Sequence, residues 1–311
     1  MNPANSSLIV VAGPTGSGKS DLALALARHF RGEIVNCDSV QVYRGLDIGS
    51  AKTPAAEREG VPHHLIDVAD PSEDLTAGAY AELARAALAD ITARRRLPII
   101  AGGTGFYLRS LLDGLSPAPA RDPDLRARLI KVGARRPTTI HRLLQRRDPA
   151  AALRIHPNDR QKLIRALELS AAAGPPRSRL PLTGYSVLKI GLNPERSELY
   201  RRLNLRSAAM FQNGLLAETQ ALLDTGLNAT AKSLQTLGYK QAVQVLTQGV
   251  PLADAIGDCQ TKTRQYAKRQ LTWFRRESNI NWLEGFGSSR EIQAAAAQLV
   301  SAFLKSIFPD A

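Results

Sequence analysis

The stretch "VVAGPTGSGKSD", residues 10–21, contains Gly13-Pro14-Thr15-Gly16-Ser17-Gly18-Lys19-Ser20, the spacing G-x-x-x-x-G-K-[ST] of a phosphate-cradling loop. Glycine at 13, 16 and 18 permits positive φ and close backbone approach to a ligand. Successive N–H groups then turn inward as an anion nest, and a helix opening near Gly18 adds the positive end of its dipole. Lys19 brings a point charge to phosphate oxygens, and the Ser20 hydroxyl can ligand a Mg²⁺ that bridges them. The motif predicts a bound di- or triphosphate and leaves open what is attached to it.

The flanks supply the required context. "SLIVVA" at 7–12 is β-branched and apolar, as in a strand buried on both faces of a parallel sheet, and "SDLALALARHF" follows as a helix. Further strands are expected at 33–37 ("EIVNC"), 64–68 ("HLIDV") and 97–101 ("LPIIA"), with a long helix over roughly 76–96. Strands alternating with helices predict an α/β fold with a doubly wound parallel sheet. In a nucleotide kinase or hydrolase, a second strand usually ends in a metal-holding Asp. Here "LPIIAGGTGFYL" ends in Gly102-Gly103-Thr104 with no carboxylate, which disfavours an ordinary kinase. A carboxylate does follow the strand in "IVNCDSVQVY": Asp38. It would face the same crevice, because ligands sit beyond the carboxyl ends of the strands. Metal ligand, general base, and helix-cap or turn residue all remain open for it. His63 and His64 are expected to pack or hydrogen-bond locally, and Cys37 to be a small buried side chain.

The texture changes after residue 115. A Pro-rich run at 117–123 reads as a boundary and "GPPRSRLPLTG" at 174–184 as a second. The segment between them is expected to be helical; its residues 121–147 hold nine Lys or Arg and two Asp. "VLKIGL" at 187–192 is expected to return to the sheet, and the rest is mostly helical with a strand-like 281–283. The expected organisation is a core of 1–115 and 186–311 interrupted by a helical, basic insertion of 116–185.

The 311 residues carry 41 Lys or Arg against 28 Asp or Glu, a formal charge of +13, which favours polyanionic partners. Two distant cysteines in no metal spacing suit a reduced compartment. The N-terminus lacks the pattern of a signal peptide, and no apolar run reaches membrane length, so a cytoplasmic location is expected. Residues 260–276, "QTKTRQYAKRQLTWFRR", hold six cations and no acid. On a helix, Ala267, Leu271 and Phe274 form an apolar stripe, while Arg264, Lys268 and Arg275 form a cationic ridge; Gln265, Gln270 and Thr272 add hydrogen-bonding reach. A phosphate loop, a basic insertion and a basic helix together suggest an enzyme acting on folded RNA.

In this order, "GPTGSGKS", "DSVQVYRGLDIGSAK", "PHHLIDVADP", "AGGTGFYLRSLLDGL", "RIHPNDRQKLIRALEL", "GYKQ" and "TRQYAKRQLTWFR" run through nearly the whole chain. The chain thereby resembles the bacterial tRNA dimethylallyltransferases. The resemblance implies a P-loop NTPase-like core whose loop holds the diphosphate of dimethylallyl diphosphate, not ATP. It implies prenyl transfer to N6 of adenosine 37, beside the tRNA anticodon, with the base flipped into a channel. Asp38 matches the family's general base, Thr104 a threonine near the reacting centre, and Arg206 an arginine that joins Lys19 in neutralising the leaving group. Mg²⁺ on Ser20 is the implied cofactor, and a monomer is expected. Implied tRNA contacts are Asp38, Ser39, Val40 and Gln41; Thr104; Arg126; Gln161, Lys162, Leu163, Ile164 and Arg165; Gln235, Thr236, Leu237, Gly238, Tyr239 and Lys240; and Lys268, Arg269, Gln270, Trp273 and Arg275. Departures from the family pattern at Ser50, Thr53, Arg160 and Lys162 are expected to touch surface geometry and RNA contacts. The competing expectations are an enzyme that prenylates free adenine nucleotides, a P-loop small-molecule kinase, and a non-enzymatic RNA-binding protein.

Overall fold

A computed structural model describes residues 6–115, 122–135, 137–171 and 180–308. Residues 117–121 of the Pro-rich run and most of the second break, 174–179, lie outside the described residues. By contacts the chain divides into two compact units, Met1–Asp113 with Leu182–Ala311, and Gly114–Pro181. Residues 182–185, expected in the insertion, join the first unit.

The first unit is an α/β doubly wound sheet. Its strands are β1 (Ser6–Ala12), β2 (Gly32–Asn36), β3 (His63–His64), β4 (Leu97–Gly102), β5 (Tyr185–Leu192) and β6 (Ile280–Leu283), in the order β3-β2-β4-β1-β5-β6. Every pairing is parallel. α1 (Lys19–His29), α2 (Ala77–Ala93) and α3 (Gly105–Leu112) alternate with the first strands. After the second unit's helices α4 (Pro123–Arg135), α5 (Pro137–Arg147), α6 (Pro149–Arg154) and α7 (Arg160–Ala171) come α8 (Arg196–Gln212), α9 (Leu215–Asp224), α10 (Tyr239–Gln248), α11 (Leu252–Phe274) and α12 (Arg290–Ile307).

Burial explains the central strand. Leu8 to Val11 of β1 are each at most 1% exposed, because helices cover both faces of a parallel sheet. Leu22, Ala23, Leu26 and Ala27 of α1 form a stripe that packs with Ile9, Val11, Ile99 and Ile190, and with Ala296 and Val300 of α12. A second core joins Val42, Tyr43 and Leu46 to Phe211, Leu215, Tyr239 and Cys259. The Gly114–Pro181 unit has its own core of Leu129, Ile140, Leu144, Leu163, Ile164 and Leu167.

One expected strand is mostly absent. Only His63–His64 of the third strand region pairs, and Leu65 and Asp67 adopt left-handed φ of 61° and 59°. Polar bonds take the place of the ladder: Asn36 Nδ2 donates to Leu65 O at 3.0 Å, and Lys52 Nζ donates to Asp67 Oδ1 at 2.6 Å.

Candidate active site

Sheet register brings three loops to one level. Ala12 of β1 pairs with Gly102 of β4, and Asn36 of β2 with Ala101. The phosphate loop, Asp38 and Thr104 therefore leave the sheet side by side, beyond the carboxyl ends of the strands. The crossing is tight, since a Cβ on Gly102 would overlap Cys37 O. Cys37 N donates to Ala101 O at 2.8 Å and Thr104 N to Cys37 O at 3.2 Å, which continues the β2–β4 pairing into the loops. The Cys37 thiol is pushed up to about 12 by burial, so it serves as packing and not as a nucleophile.

The phosphate loop adopts the conformation its glycines permit, with φ of 77° at Gly16 and 83° at Gly18, and α1 begins at Lys19. Its N-terminal amides and dipole face the same end of the sheet. Lys19 Nζ donates to Pro14 O at 2.8 Å. Burial lowers the Lys19 pKa to about 8; the Asp38 charge opposes that shift and Arg206 adds to it. Arg206 of α8 donates to Thr15 Oγ1 at 2.5 Å, and burial lowers its pKa from the ordinary value. Thr15, Gly16, Gly18, Lys19, Ser20, Asp38, Gln41 and Arg206 line one cavity of about 360 Å³.

Asp38 plays the turn role as well as lining the cavity. Its Oδ1 accepts from Val40 N at 2.8 Å and Gln41 N at 3.4 Å. Thr104 accepts from Ser39 N at 3.1 Å, which joins the β2 and β4 loops. Gln41 Nε2 donates to Ser50 O and Ala51 O, each at 3.2 Å, folding the following loop over the cavity wall. That loop is pinned by Lys52, whose side chain is 4% exposed and bonds Asp47 at 2.5 Å, Asp67 at 2.6 Å and Tyr43 O at 3.0 Å. Ser50 and Thr53 also line the cavity, so these two departures reach the site and not merely the surface.

Sequence reasoning missed several residues. Arg202 lines the cavity one helical turn before Arg206, and its guanidinium lies 3.7 Å over the Phe286 ring. The i, i+4 spacing of the two arginines was the available signal. The loop after β6 leans on the phosphate loop: Gly287 N donates to Ser17 O at 2.9 Å, and a Cβ at Gly287 would overlap Gly18 O. Nothing in the local sequence of residues 285–288 announces that contact.

Among the expected RNA contacts, Lys268, Arg269 and Arg275 of α11, and Gln235 and Lys240, are exposed. In the second unit Gln161 and Lys162 are exposed. Others are buried or half-buried. Leu163 and Ile164 are core residues of that unit. Arg126 and Arg165 each bond the buried Glu168, at 2.8 and 2.9 Å. Tyr239 is fully buried and, with its hydroxyl, donates to Glu218 at 2.5 Å and accepts from Gly49 N at 3.1 Å; Gly238 beside it is buried. Val40 packs on the second core, and Thr236 and Leu237 are half-buried. Arg264, read as part of the outward ridge, donates to Asn204 Oδ1 at 2.5 Å and ties α11 to α8. Trp273 lies under Arg109, 4.4 Å from its guanidinium, and against Gly105, so its ring packs inward. Gln270 is 5% exposed; its Oε1 accepts from Thr15 N at 2.7 Å and its Nε2 donates to Gly103 O at 2.8 Å. The helical stripe alone puts Ala267 and Phe274 inside; that Gln270 joins them follows only from the two loops it meets.

Among the described residues, no group of three or more His, Cys, Asp or Glu is arranged to hold a metal ion, and no helix is long and apolar enough to cross a membrane.

A family model described as IPP transferase matches residues 41–277. The tRNA dimethylallyltransferase of Solibacter usitatus (strain Ellin6076) is 54% identical over 303 residues, covering 96% of this chain and 99% of the relative. The full-length tRNA isopentenylpyrophosphate transferase of Bacillus halodurans matches in structure with a TM-score of 0.75 at 36% identity, covering 98% of each chain. A eukaryotic dimethylallyltransferase, solved acting on tRNA, matches with a TM-score of 0.79 at 27% identity over 98% of this chain and 80% of that one. With sequence and fold agreeing along nearly the whole chain, and with a carboxylate after β2 beside the phosphate loop while β4 ends without one, the chain belongs to the IPP transferase family, whose relatives here are the tRNA dimethylallyltransferases.

Proposed function

We propose that this protein transfers a dimethylallyl group from dimethylallyl diphosphate to N6 of the adenosine beside the anticodon, position 37, of tRNA and releases diphosphate. One observation carries the reading: Asp38, Lys19 and Arg206 line a single cavity with the phosphate loop, and Asp38 is close enough to both cations to affect their titration.

The diphosphate sits on the loop amides at the N-terminus of α1, with Lys19 and Arg206 as counter-charges. The exocyclic N6 attacks the allylic C1, the N6–C1 bond forms, and the C1–O bond breaks with its electron pair going to the departing diphosphate. Asp38 takes the N6 proton. Its Oδ1 is engaged by the turn amides, which leaves Oδ2 as the accepting atom. Thr104, fixed to the Ser39 amide, stands beside this centre. Mg²⁺ fits the donor set: a magnesium ion usually takes one or two protein oxygens and completes its shell with water and phosphate oxygens, and Ser20 supplies such an oxygen at the cavity wall. Bound there, it would neutralise charge on the diphosphate.

The substrate adenine must leave its stack to reach the cavity, which costs least in an unpaired loop. Exposed Lys268, Arg269, Arg275, Lys240 and Gln235 are the proposed RNA contacts of the first unit, and Gln161 and Lys162 those of the second. The test is incubation with unmodified tRNA and either dimethylallyl diphosphate or ATP, followed by nucleoside mass spectrometry. A gain of one C5H8 unit on adenosine with the first donor is the expected outcome. ATP consumption without that gain refutes the reading in favour of a kinase.

A further inference from the structure

We infer that Gln270 is a positioning residue that ties the RNA-facing helix α11 to the diphosphate cradle and does not itself touch RNA. The inference rests on the prenyl-transfer reading and adds to it a mechanical link between the two substrate sites.

The buried stripe of α11 is Ala255, Cys259, Thr263, Ala267, Gln270 and Phe274. Gln270 is its one primary amide, and both ends of that amide are used. The acceptor takes the backbone N–H of Thr15, 255 residues away in sequence, and the donor reaches the carbonyl of Gly103, 167 residues away. The fit is close enough that a Cβ on Gly103 would overlap Gln270 Nε2. The Gly102-Gly103 pair therefore has two separate reasons: Gly102 lets the β2 end pass, and Gly103 lets the amide in.

Both attachment points are parts of the site. Thr15 is the residue whose hydroxyl accepts from Arg206, and Gly103 is bonded to Thr104, whose hydroxyl holds Ser39 beside Asp38. One side chain thus sets the spacing between the phosphate loop and the turn that carries Thr104. An amide suits this role because it presents a donor and an acceptor together; an ionised carboxylate lacks the donor, and a thioether has no donor and is only a weak acceptor. A buried bridge of this kind holds geometry tightly when satisfied and is costly when half-satisfied. Lys268 and Arg269, on the preceding turn positions, are exposed. Load placed on them by RNA passes along the helix to the amide and so to Thr15.

The experiment compares the wild-type full-length chain with Gln270→Met and Gln270→Glu by calorimetric titration. The probes are inorganic diphosphate with Mg²⁺ and, separately, an unmodified anticodon stem-loop RNA. Gln270→Met is expected to bind diphosphate about tenfold more weakly, and to raise KM for dimethylallyl diphosphate more than it lowers kcat, while stem-loop affinity stays within about twofold. Gln270→Glu is expected to be equally weak at pH 8 and to recover diphosphate affinity towards pH 5.5. There the protonated carboxyl donates its O–H to Gly103 O and accepts from Thr15 N, as the amide does; the wild type gains nothing comparable. Three results would overturn the inference. They are Gln270→Met losing stem-loop affinity while keeping diphosphate affinity, Gln270→Glu showing no recovery at low pH, and Gln270→Glu remaining unfolded by circular dichroism at pH 5.5. A wild-type protein that binds diphosphate but prenylates no RNA refutes the functional reading alone and leaves the variant comparison intact.

Discussion

At the scale of single residues, Asp38 and Lys19 separate chemistry from structure. Asp38 holds a turn through Oδ1 and lines the cavity, so alanine would remove both roles. Asn at this position keeps an oxygen for the Val40 amide and loses the base. Asp38→Asn is expected to lower kcat by roughly 10²–10⁴-fold, with stem-loop affinity nearly unchanged; turnover within a few-fold of wild type in a single-turnover assay would remove Asp38 as the base. Lys19 has a pKa of about 8 where 10.5 is ordinary. Anion binding needs its protonated form, so inorganic diphosphate affinity is expected to fall as pH rises above about 8, and Lys19→Met should lack that limb in the same titration. The stability effect has the opposite direction. Between about 8 and 10.5 the unfolded chain binds the proton that the folded chain has lost, so Lys19 makes folding more favourable as pH rises through that window. Urea midpoints of wild type and Lys19→Met, compared across that range, test the sign.

At the scale of elements, the loops are held by contacts from distant parts of the chain. Lys52 is a buried cation facing two half-exposed carboxylates, Asp47 at 60% and Asp67 at 43% side-chain exposure. Lys52→Met leaves acids that water can reach, so the cost is expected to be about 1–3 kcal/mol, below that of stranding a buried charge. The loop of residues 41–53 forms part of the cavity wall, so KM for tRNA should rise as well; denaturant unfolding and steady-state kinetics read the two effects. The β6–α12 loop gives a second case. Gly287→Ala would drive a methyl into Gly18 O, and the phosphate loop must shift. Diphosphate affinity is expected to drop about tenfold, with stem-loop binding retained; a variant that binds diphosphate normally would show that the loop yields instead.

At the scale of the whole molecule, the formal charge of +13 makes RNA association electrostatic and salt-sensitive. Charge reversal at Lys268 and Arg269 together is expected to weaken stem-loop binding and to reduce the slope of log affinity against log salt by about 1–2. An unaltered slope would take that face of α11 out of the interface. The bulk cation count overstates the surface available to RNA. Arg126, Arg165 and Arg264 are half-buried and engaged by Glu168 and Asn204.

Residue order by itself determined the parallel α/β class, the phosphate loop at 13–20, the strand at 187–192 that rejoins the sheet and the carboxylate at Asp38. Apolar runs, glycine spacing and helix periodicity are local signals, and each acts within a few residues of where it is written. Tertiary structure alone decided that the 64–68 strand stops after His64, that Tyr239, Leu163 and Ile164 are core, and that Gln270 bonds the backbone of both Thr15 and Gly103. Those outcomes depend on which backbone groups from remote segments arrive beside a side chain. A polar residue on a helix is buried when a donor and an acceptor happen to meet it there, and no periodicity in its own helix encodes that meeting.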